Sequence, residues 1–364
     1  MALNRVGILT GGGDCSGLNA VIRAITRTSI IQHNATVIGI EDGFDGLIFD
    51  RHQELSTSNT RNILSLGGTI IGTTNKGNPF EYRERDEHGN IQVRDYSNKA
   101  IENFKKLNLD CLFIVGGDGT LQIANRFSEM GLPIIGIPKT IDNDLKGTDY
   151  SFGFHTAVQV ACDALDRLQT TGRSHDRVMI LEVMGRDAGW IALESGISGG
   201  AHIILIPEIP YQLDKVLEKI RKREAGGSPY TIIVVAEAAF EAGGEKITTE
   251  NASERLQGVK RYGGVGTYLT EKIKNGVHQE VRCTVLGHTQ RGGTPVSFDR
   301  ILGTRFGAFA VKAAAERQFG NMVALNTPNL ILTPLKNLAG SARKIASTDQ
   351  LIESAEAIGI SLGR

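Results

Sequence analysis

Cysteine is scarce in this 364-residue chain: Cys15, Cys111, Cys162 and Cys283 are scattered, with no CxxC pair and no histidine at metal spacing. That excludes a disulfide framework or zinc site and fits reduced thiols in a cytoplasm. An excess of one charge is also missing. The 40 Lys and Arg offset 40 Asp and Glu, so the overall balance favours neither nucleic acid nor a membrane surface, and any anion site must be a local cluster. No run of about 18 or more apolar residues offers a membrane span, and MALNRVGILTGGGD reads as too short and wrongly flanked for a signal peptide. No G-x-x-x-x-G-K-[ST] occurs, which excludes a P-loop kinase. What remains is an ordinary globular composition, 40% hydrophobic and 22% charged, with a length suited to two domains.

Glycine, by contrast, is abundant at 44 residues, and many follow apolar β-branched runs. RVGILTGGG, ATVIGIEDG, DCLFIVGGDG, LPIIGIPK, DRVMILEVMG, AHIILIPE and YTIIVVAE each read as a strand buried on both faces and ending in a polar turn. Helical patterns lie between them, as in FHTAVQVACDALDRLQTT and DKVLEKIRKRE. This alternation predicts an α/β fold of two Rossmann-like domains, with mainly parallel sheets covered by helices. EYRERDEHGNIQVRDYS is charged and poorly periodic and reads as a surface excursion. The expected domains are 1–153 plus 290–340 and 154–289 plus 341–364, and RGGTPVSFDRILGTRFGAFAVKAAAE after residue 290 returns to helix and can pack back on the first. Ligands in such sheets sit beyond the carboxyl ends of the strands.

The polar motifs fall at those ends. TGGGDCSGLNAVIRAI follows the first strand, and its glycines let backbone N–H groups approach a phosphate. Its spacing, Gly11, Gly13, Gly17, is one residue longer than the dinucleotide fingerprint, which weighs against a nicotinamide enzyme although Glu41 ends the next strand. FIVGGDGTLQIA makes a second cradle and adds Asp118, a carboxylate suited to Mg²⁺ alongside phosphate oxygens, although an aspartate here also serves as a plain helix cap. IPKTIDNDL places Asp142 and Asp144 two apart, so they point the same way if the chain stays extended. One carboxylate can take a hydroxyl proton while the other orients it or helps to hold a metal. Arg173 and Arg177, Arg186, Arg282, and His288 with Arg291 supply the cations that a phosphorylated sugar needs, and Glu237 suits a sugar hydroxyl.

In order along nearly the whole chain, GILTGGGDCSGLNAVIR, GGDGT, PKTIDND, EVMGR and GHTQRGG resemble the 6-phosphofructokinase family. GGDGT alone is shared with lipid and NAD kinases; the combination is specific. The resemblance implies an active site in the cleft between domains and transfer of a phosphoryl group to the 1-hydroxyl of fructose 6-phosphate, a glycolytic step in the cytoplasm. It implies Asp142 as general base, Thr140 and Asp144 positioning substrate or metal-bound phosphate, and Arg186 stabilising the transferring charge. Asp118 would hold Mg²⁺, with Gly13, Gly117, Gly119 and Thr120 along the donor phosphates. His288 and Arg291 would hold the sugar phosphate, with Met184, Gly185 and Glu237 around the sugar. In the family, the arginines matching Arg177 and Arg282 reach in from a neighbouring subunit, which implies a homo-oligomer, expected as a tetramer. No nucleic-acid or membrane partner is expected.

The donor is read from two positions. Family members that use pyrophosphate typically carry aspartate at the position of Gly119 and lysine at that of Lys139. A carboxylate at 119 would crowd and repel a nucleotide's α-phosphate, so Gly119 favours ATP, whereas Lys139 accompanies either donor. The family's donor-site arginine is replaced by GGTIIGTTNKGNPF, offering Asn75 and Lys76, and Ile123 stands where many ATP enzymes have glycine. Pyrophosphate or another nucleotide is the alternative donor. A silent subunit sensing nucleotide or sugar phosphate is the alternative class, and it predicts loss of Asp118, Asp142 or Arg186, all of which are present.

Overall fold

In the computed structural model, which describes residues 3–249, 261–338 and 342–364, the apolar runs are strands throughout. The chain begins with β1 (Arg5–Thr10), α1 (Leu18–His33), β2 (Thr36–Ile40), α2 (Phe44–Phe49) and β3 (His52–Leu55). Then come β4 (Tyr82–Arg85), β5 (Ile91–Arg94), α3 (Ser97–Lys106), β6 (Cys111–Gly116), α4 (Asp118–Glu129), β7 (Ile134–Thr140), β8 (Phe152–Gly153) and α5 (Phe154–Ser174). The second series runs β9 (Val178–Val183), α6 (Trp190–Ser198), β10 (Ile203–Leu205), α7 (Leu213–Ala225) and β11 (Thr231–Ala236). It continues with β12 (Thr248–Thr249), β13 (Arg261–Tyr262), α8 (Val265–Lys274) and β14 (Val281–Val285). The last elements are α9 (Ser297–Ala315), β15 (Asn321–Asn326), β16 (Asn329–Pro334) and α10 (Gln350–Ala357).

These elements divide into two compact units that interleave in sequence. The first comprises Met1–Thr140, Leu145–His155 and Arg291–Ser341; the second Ile141–Asp144, Thr156–Gln290 and Ala342–Arg364. The four residues carrying both aspartates of IPKTIDNDL thus group with the second series, apart from the 1–153 run expected to contain them. The expected boundary between 340 and 341 lies outside the described residues.

The first unit is built on an eight-stranded sheet with the order β16-β15-β7-β6-β1-β2-β3, and β8 pairs β7 off this path. From β7 to β2 the pairs are parallel, as is β15 with β7; β3 and β16 close the edges antiparallel. Strand order reverses between β6 and β1, so the loops that follow these two strands flank the switch point where such sheets bind ligands. Helix α9 returns to pack on α1, and glycines permit the close approach. A Cβ at Gly307 would lie 2.7 Å from Ala24 Cβ and 2.9 Å from the Val21 carbonyl oxygen. One face of the sheet buries Leu9, Ile38, Leu112, Ile114 and Ile134 against Phe44, Phe104 and Phe127.

The charged stretch expected as a surface excursion is an exposed antiparallel hairpin, β4 with β5. Its turn is organised by Asp86, whose carboxylate accepts from the backbone N–H of His88 at 3.0 Å and of Asn90 at 2.8 Å. Exposed faces hide the alternation that periodicity would detect.

The second unit carries a four-stranded parallel sheet, β10-β11-β9-β14. Val178, Ile180, Ile233 and Val235 pack against Val216 and Ile220 of α7 and against Leu269 and Ile273 of α8. A buried carboxylate, Glu182 on β9, accepts from the N–H groups of Gly264 at 3.1 Å and Gly266 at 2.7 Å and so caps α8. No helix among the described residues is long and apolar enough to cross a membrane.

Candidate active site

In the first unit the loops after β1 and β6 lie side by side. The Gly11 N–H donates to the Val115 carbonyl at 2.9 Å, and the Gly12 N–H donates to the Thr74 carbonyl at 3.0 Å. Thr73 Oγ1 returns a bond to the Gly12 carbonyl at 2.7 Å. Gly12 has φ 80°, a left-handed conformation that favours glycine. Thr120 stands over the same backbone: a Cβ at Gly11 would come within 2.8 Å of its methyl group. Helix α1 begins only at Leu18, behind Gly17 at φ 107°. The Gly11 and Gly12 amides are thus spent on protein carbonyls, and the glycine loop lies ahead of that helix end.

Lys139, at the end of β7, is buried to 5% exposure, and its ammonium donates to the Gly13 carbonyl. It sits under the loop as an internal cation. Beside it, burial pushes the Cys15 thiol up to about 12, against the pull of Lys139, so this thiol stays protonated. Asp118 opens α4 behind Gly117, exposed, with one oxygen accepting from Gln122 Nε2 at 2.7 Å. A Cβ at Gly119 would meet nothing within 4 Å. Asn75 Oδ1 lies 3.8 Å from where a Gly12 Cβ would stand, whereas Lys76 is exposed and bonds through its own N–H to Thr74 Oγ1 at 3.1 Å. Ile123 packs against the apolar core of this unit, and Glu41 accepts from Gln53 Nε2 at 3.2 Å. Arg291 lies with this group, its guanidinium occupying the space that a Gly13 side chain would need, and its buried Nε has no hydrogen-bond partner.

The second unit gathers its polar residues past the ends of β11, β9 and β14. Met184 donates its N–H to Gln290 Oε1 at 2.7 Å. Gly185 has φ 147° and Arg186 φ 39°, and the Arg186 N–H donates to Glu237 Oε1 at 3.1 Å. A Cβ at Gly185 would lie 2.6 Å from the Ala188 carbonyl oxygen, so this turn requires glycine. The Arg186 side chain is 61% exposed, with Asp187 3.8 Å from its Nε. Asp187 also takes Lys246 at 2.7 Å and Tyr262 Oη at 3.0 Å. His288 is exposed on the short 3₁₀ turn Gly287–Arg291.

Asp142 and Asp144 are both half-buried, but the premise that relates them fails. Strand β7 ends at Thr140, whose carbonyl accepts from Ser151 Oγ at 2.8 Å. Asn143 then turns left-handed at φ 51°, so the two carboxylates do not share the face of an extended strand. An asparagine between two aspartates is itself the signal that was available, because its side chain tolerates that conformation.

Arg177 and Arg282 stand apart from the other cations. Both ion-pair with Glu280, Arg177 just before β9 and Arg282 near the start of β14, which pair in parallel. A six-residue strand separates this end of the sheet from Arg186, roughly 20 Å at about 3.3 Å per residue. The two arginines hold Glu280 below the ordinary carboxylate range, Arg177 most of all. Gln290, Glu280 and Trp190 are the residues that motif reading passed over. Gln290 lay in view within GHTQRGG, and Trp190 is the chain's only tryptophan.

The sequence pattern of the Phosphofructokinase family matches residues 5–314. This chain belongs to the phosphofructokinase family. Among curated relatives, the ATP-dependent 6-phosphofructokinase 2 of Clostridium perfringens is 47% identical over 360 residues, covering 99% of this chain and 98% of the relative. The ATP-dependent 6-phosphofructokinase of Chloroflexus aurantiacus is 46% identical over the same length and coverage. Among solved structures, phosphofructokinase from Pichia pastoris superposes with a TM-score of 0.77 at 30% identity. The match covers 99% of this phosphofructokinase and 37% of that much longer chain.

Proposed function

We propose that the protein is an ATP-dependent 6-phosphofructokinase, a glycolytic phosphotransferase of the cytoplasm that moves the γ-phosphoryl of ATP to the 1-hydroxyl of fructose 6-phosphate. The observation that carries this reading is the pair of glycine loops lying side by side after β1 and β6, with Lys139 buried beneath them, Asp118 exposed at the start of α4 and open space at Gly119.

Gly13, Gly117, Gly119 and Thr120 would line the donor phosphates, with Asn75 and Lys76 in place of an arginine. Thr140 and Asp144 position what Asp142 acts on. Asp142 accepts the proton of the attacking hydroxyl, and an aspartate is an anion at neutral pH that can do so without special tuning. Arg186 neutralises charge on the transferring group, which is the main task in a loose phosphoryl-transfer transition state. Met184, Gly185 and Glu237 shape the sugar site, and His288 takes part of the sugar phosphate. Arg291 would complete the ligands of the sugar phosphate through its guanidinium.

Mg²⁺ fits this donor set. The described residues contain no cluster of three or more His, Cys, Asp or Glu that could cage a metal alone, and Mg²⁺ is usually held by one or two carboxylates plus substrate phosphates and water. Asp118, exposed and with only one oxygen engaged by Gln122, would hold it, and the ion would neutralise the β- and γ-phosphates.

The separation of Arg177 and Arg282 from Arg186 along β9 supports the homo-oligomer reading. These arginines point to service in a neighbouring copy's site, as expected for a tetramer. Purified protein given fructose 6-phosphate, Mg²⁺ and ATP should form fructose 1,6-bisphosphate, while NAD and diacylglycerol offered in its place should stay unphosphorylated. Phosphorylation of either control in preference to the sugar would overturn the assignment.

A further inference from the structure

The turn that aims Asp142 and Asp144 is closed by the far end of the chain. Arg343 donates from Nε at 3.2 Å and from Nη2 at 3.0 Å to the Asn143 carbonyl, and its backbone N–H donates to the Asp144 carbonyl at 2.6 Å. Three bonds from one residue thus grip two consecutive carbonyls around the left-handed Asn143. Arg343 is itself fastened. Its guanidinium stacks over Trp190 at 4.7 Å from the ring centroid, and the Trp190 indole N–H donates to the Arg343 carbonyl at 3.0 Å. Two residues on, the Ile345 N–H donates to Glu208 at 3.1 Å, and the same carboxylate accepts from Gly189, directly before α6, at 3.0 Å.

We propose that Arg343 is a positioning residue for phosphoryl transfer, holding the Asn143 turn so that Asp142 meets the attacking hydroxyl, with Trp190 and Glu208 as the frame that fixes it. The inference rests on Asp142 being the base. Its physical content is the tolerance of the reaction to misplacement, where about 1 Å can cost on the order of a hundredfold in rate. Arg343 grips neutral carbonyls of the protein, so its loss should spare substrate binding and strike turnover.

The test uses Arg343→Ala and Arg343→Lys in the full chain, reading kinetics, melting temperature and tryptophan emission. Trp190 is the only tryptophan, so emission reports the clamp directly. Arg343→Ala should lower kcat by about ten- to a hundredfold with both KM values within about twofold, and should shift Trp190 emission. Added guanidinium ion should recover part of that kcat. Arg343→Lys, which keeps a cation but not the two-pronged grip, should keep the wild-type melting temperature and show an intermediate kcat. If Arg343→Lys keeps its melting temperature and both variants turn over within about twofold of wild type, positioning is refuted. A loss in kcat matched by equal rises in KM, with no guanidinium rescue, also refutes it and marks Arg343 as structural only. Emission unmoved by Arg343→Ala overturns the clamp whatever the activity, whereas a wild-type protein inactive on fructose 6-phosphate fails the functional assignment instead.

Discussion

At the scale of single residues, chemistry was legible where it depends on residue type and obscure where it depends on direction. The roles proposed for Asp142 and Arg186 are ones that their identity suggests. Asp142→Asn should keep the melting temperature and KM while turnover collapses; a variant with more than about a tenth of the wild-type kcat would refute the base assignment. Gly119 makes a cleaner experiment than most glycine positions, because a Cβ there meets nothing within 4 Å and the backbone is not left-handed. Gly119→Asp should therefore fold normally and place a carboxylate against the donor. It should lower kcat/KM for ATP at least tenfold, about 1.4 kcal/mol, and unchanged ATP kinetics would remove the physical basis of the donor reading. The direction of the Asp142 and Asp144 side chains was not readable, because Asn143 breaks the strand between them. Nor was Arg343, whose partners Asn143 and Trp190 lie 200 and 153 residues away in sequence.

Among the elements, the strands stood out because burial on both faces leaves continuous β-branched runs, as in TIIVVA of β11. The β4–β5 hairpin did not, since its side chains meet water on most positions and no apolar period survives. The return of α9 onto α1 was partly visible as a helical pattern after residue 290, but not the reason for it. Small residues at Gly303 and Gly307 let the two helices approach until a Cβ would clash with backbone. Gly307→Val should accordingly destabilise the first unit by overpacking, by about 1–3 kcal/mol, measured as a lower midpoint in urea at unchanged slope. A midpoint equal to wild type would mean that the helices are looser than this contact implies.

For the molecule as a whole, one half-buried acid links stability to pH near neutrality. Burial pushes the Glu194 carboxyl on α6 up to about 7, against the Arg343 cation and with Asp349 adding to the rise. A raised folded-state value means that the native protein holds a proton the unfolded chain has lost. Stability from this group is therefore complete below about 4.5, falls as pH rises towards 7, and is flat above that. Glu194→Gln, which cannot ionise, should melt higher than wild type at pH 8 and show no such gain at pH 4; an equal shift at both would dissociate Glu194 from the effect. The two sheets and their carboxyl-end loops were predictable from sequence alone, because composition and periodicity suffice for them. The interleaving that puts Ile141–Asp144 with the second series was not, since it depends on long-range partners. The central proposal, phosphoryl transfer from ATP, is tested most directly by comparing kcat/KM for ATP and for pyrophosphate at saturating fructose 6-phosphate and Mg²⁺. The open cradle at Gly119 predicts that ATP is the better donor; a higher kcat/KM with pyrophosphate would contradict it.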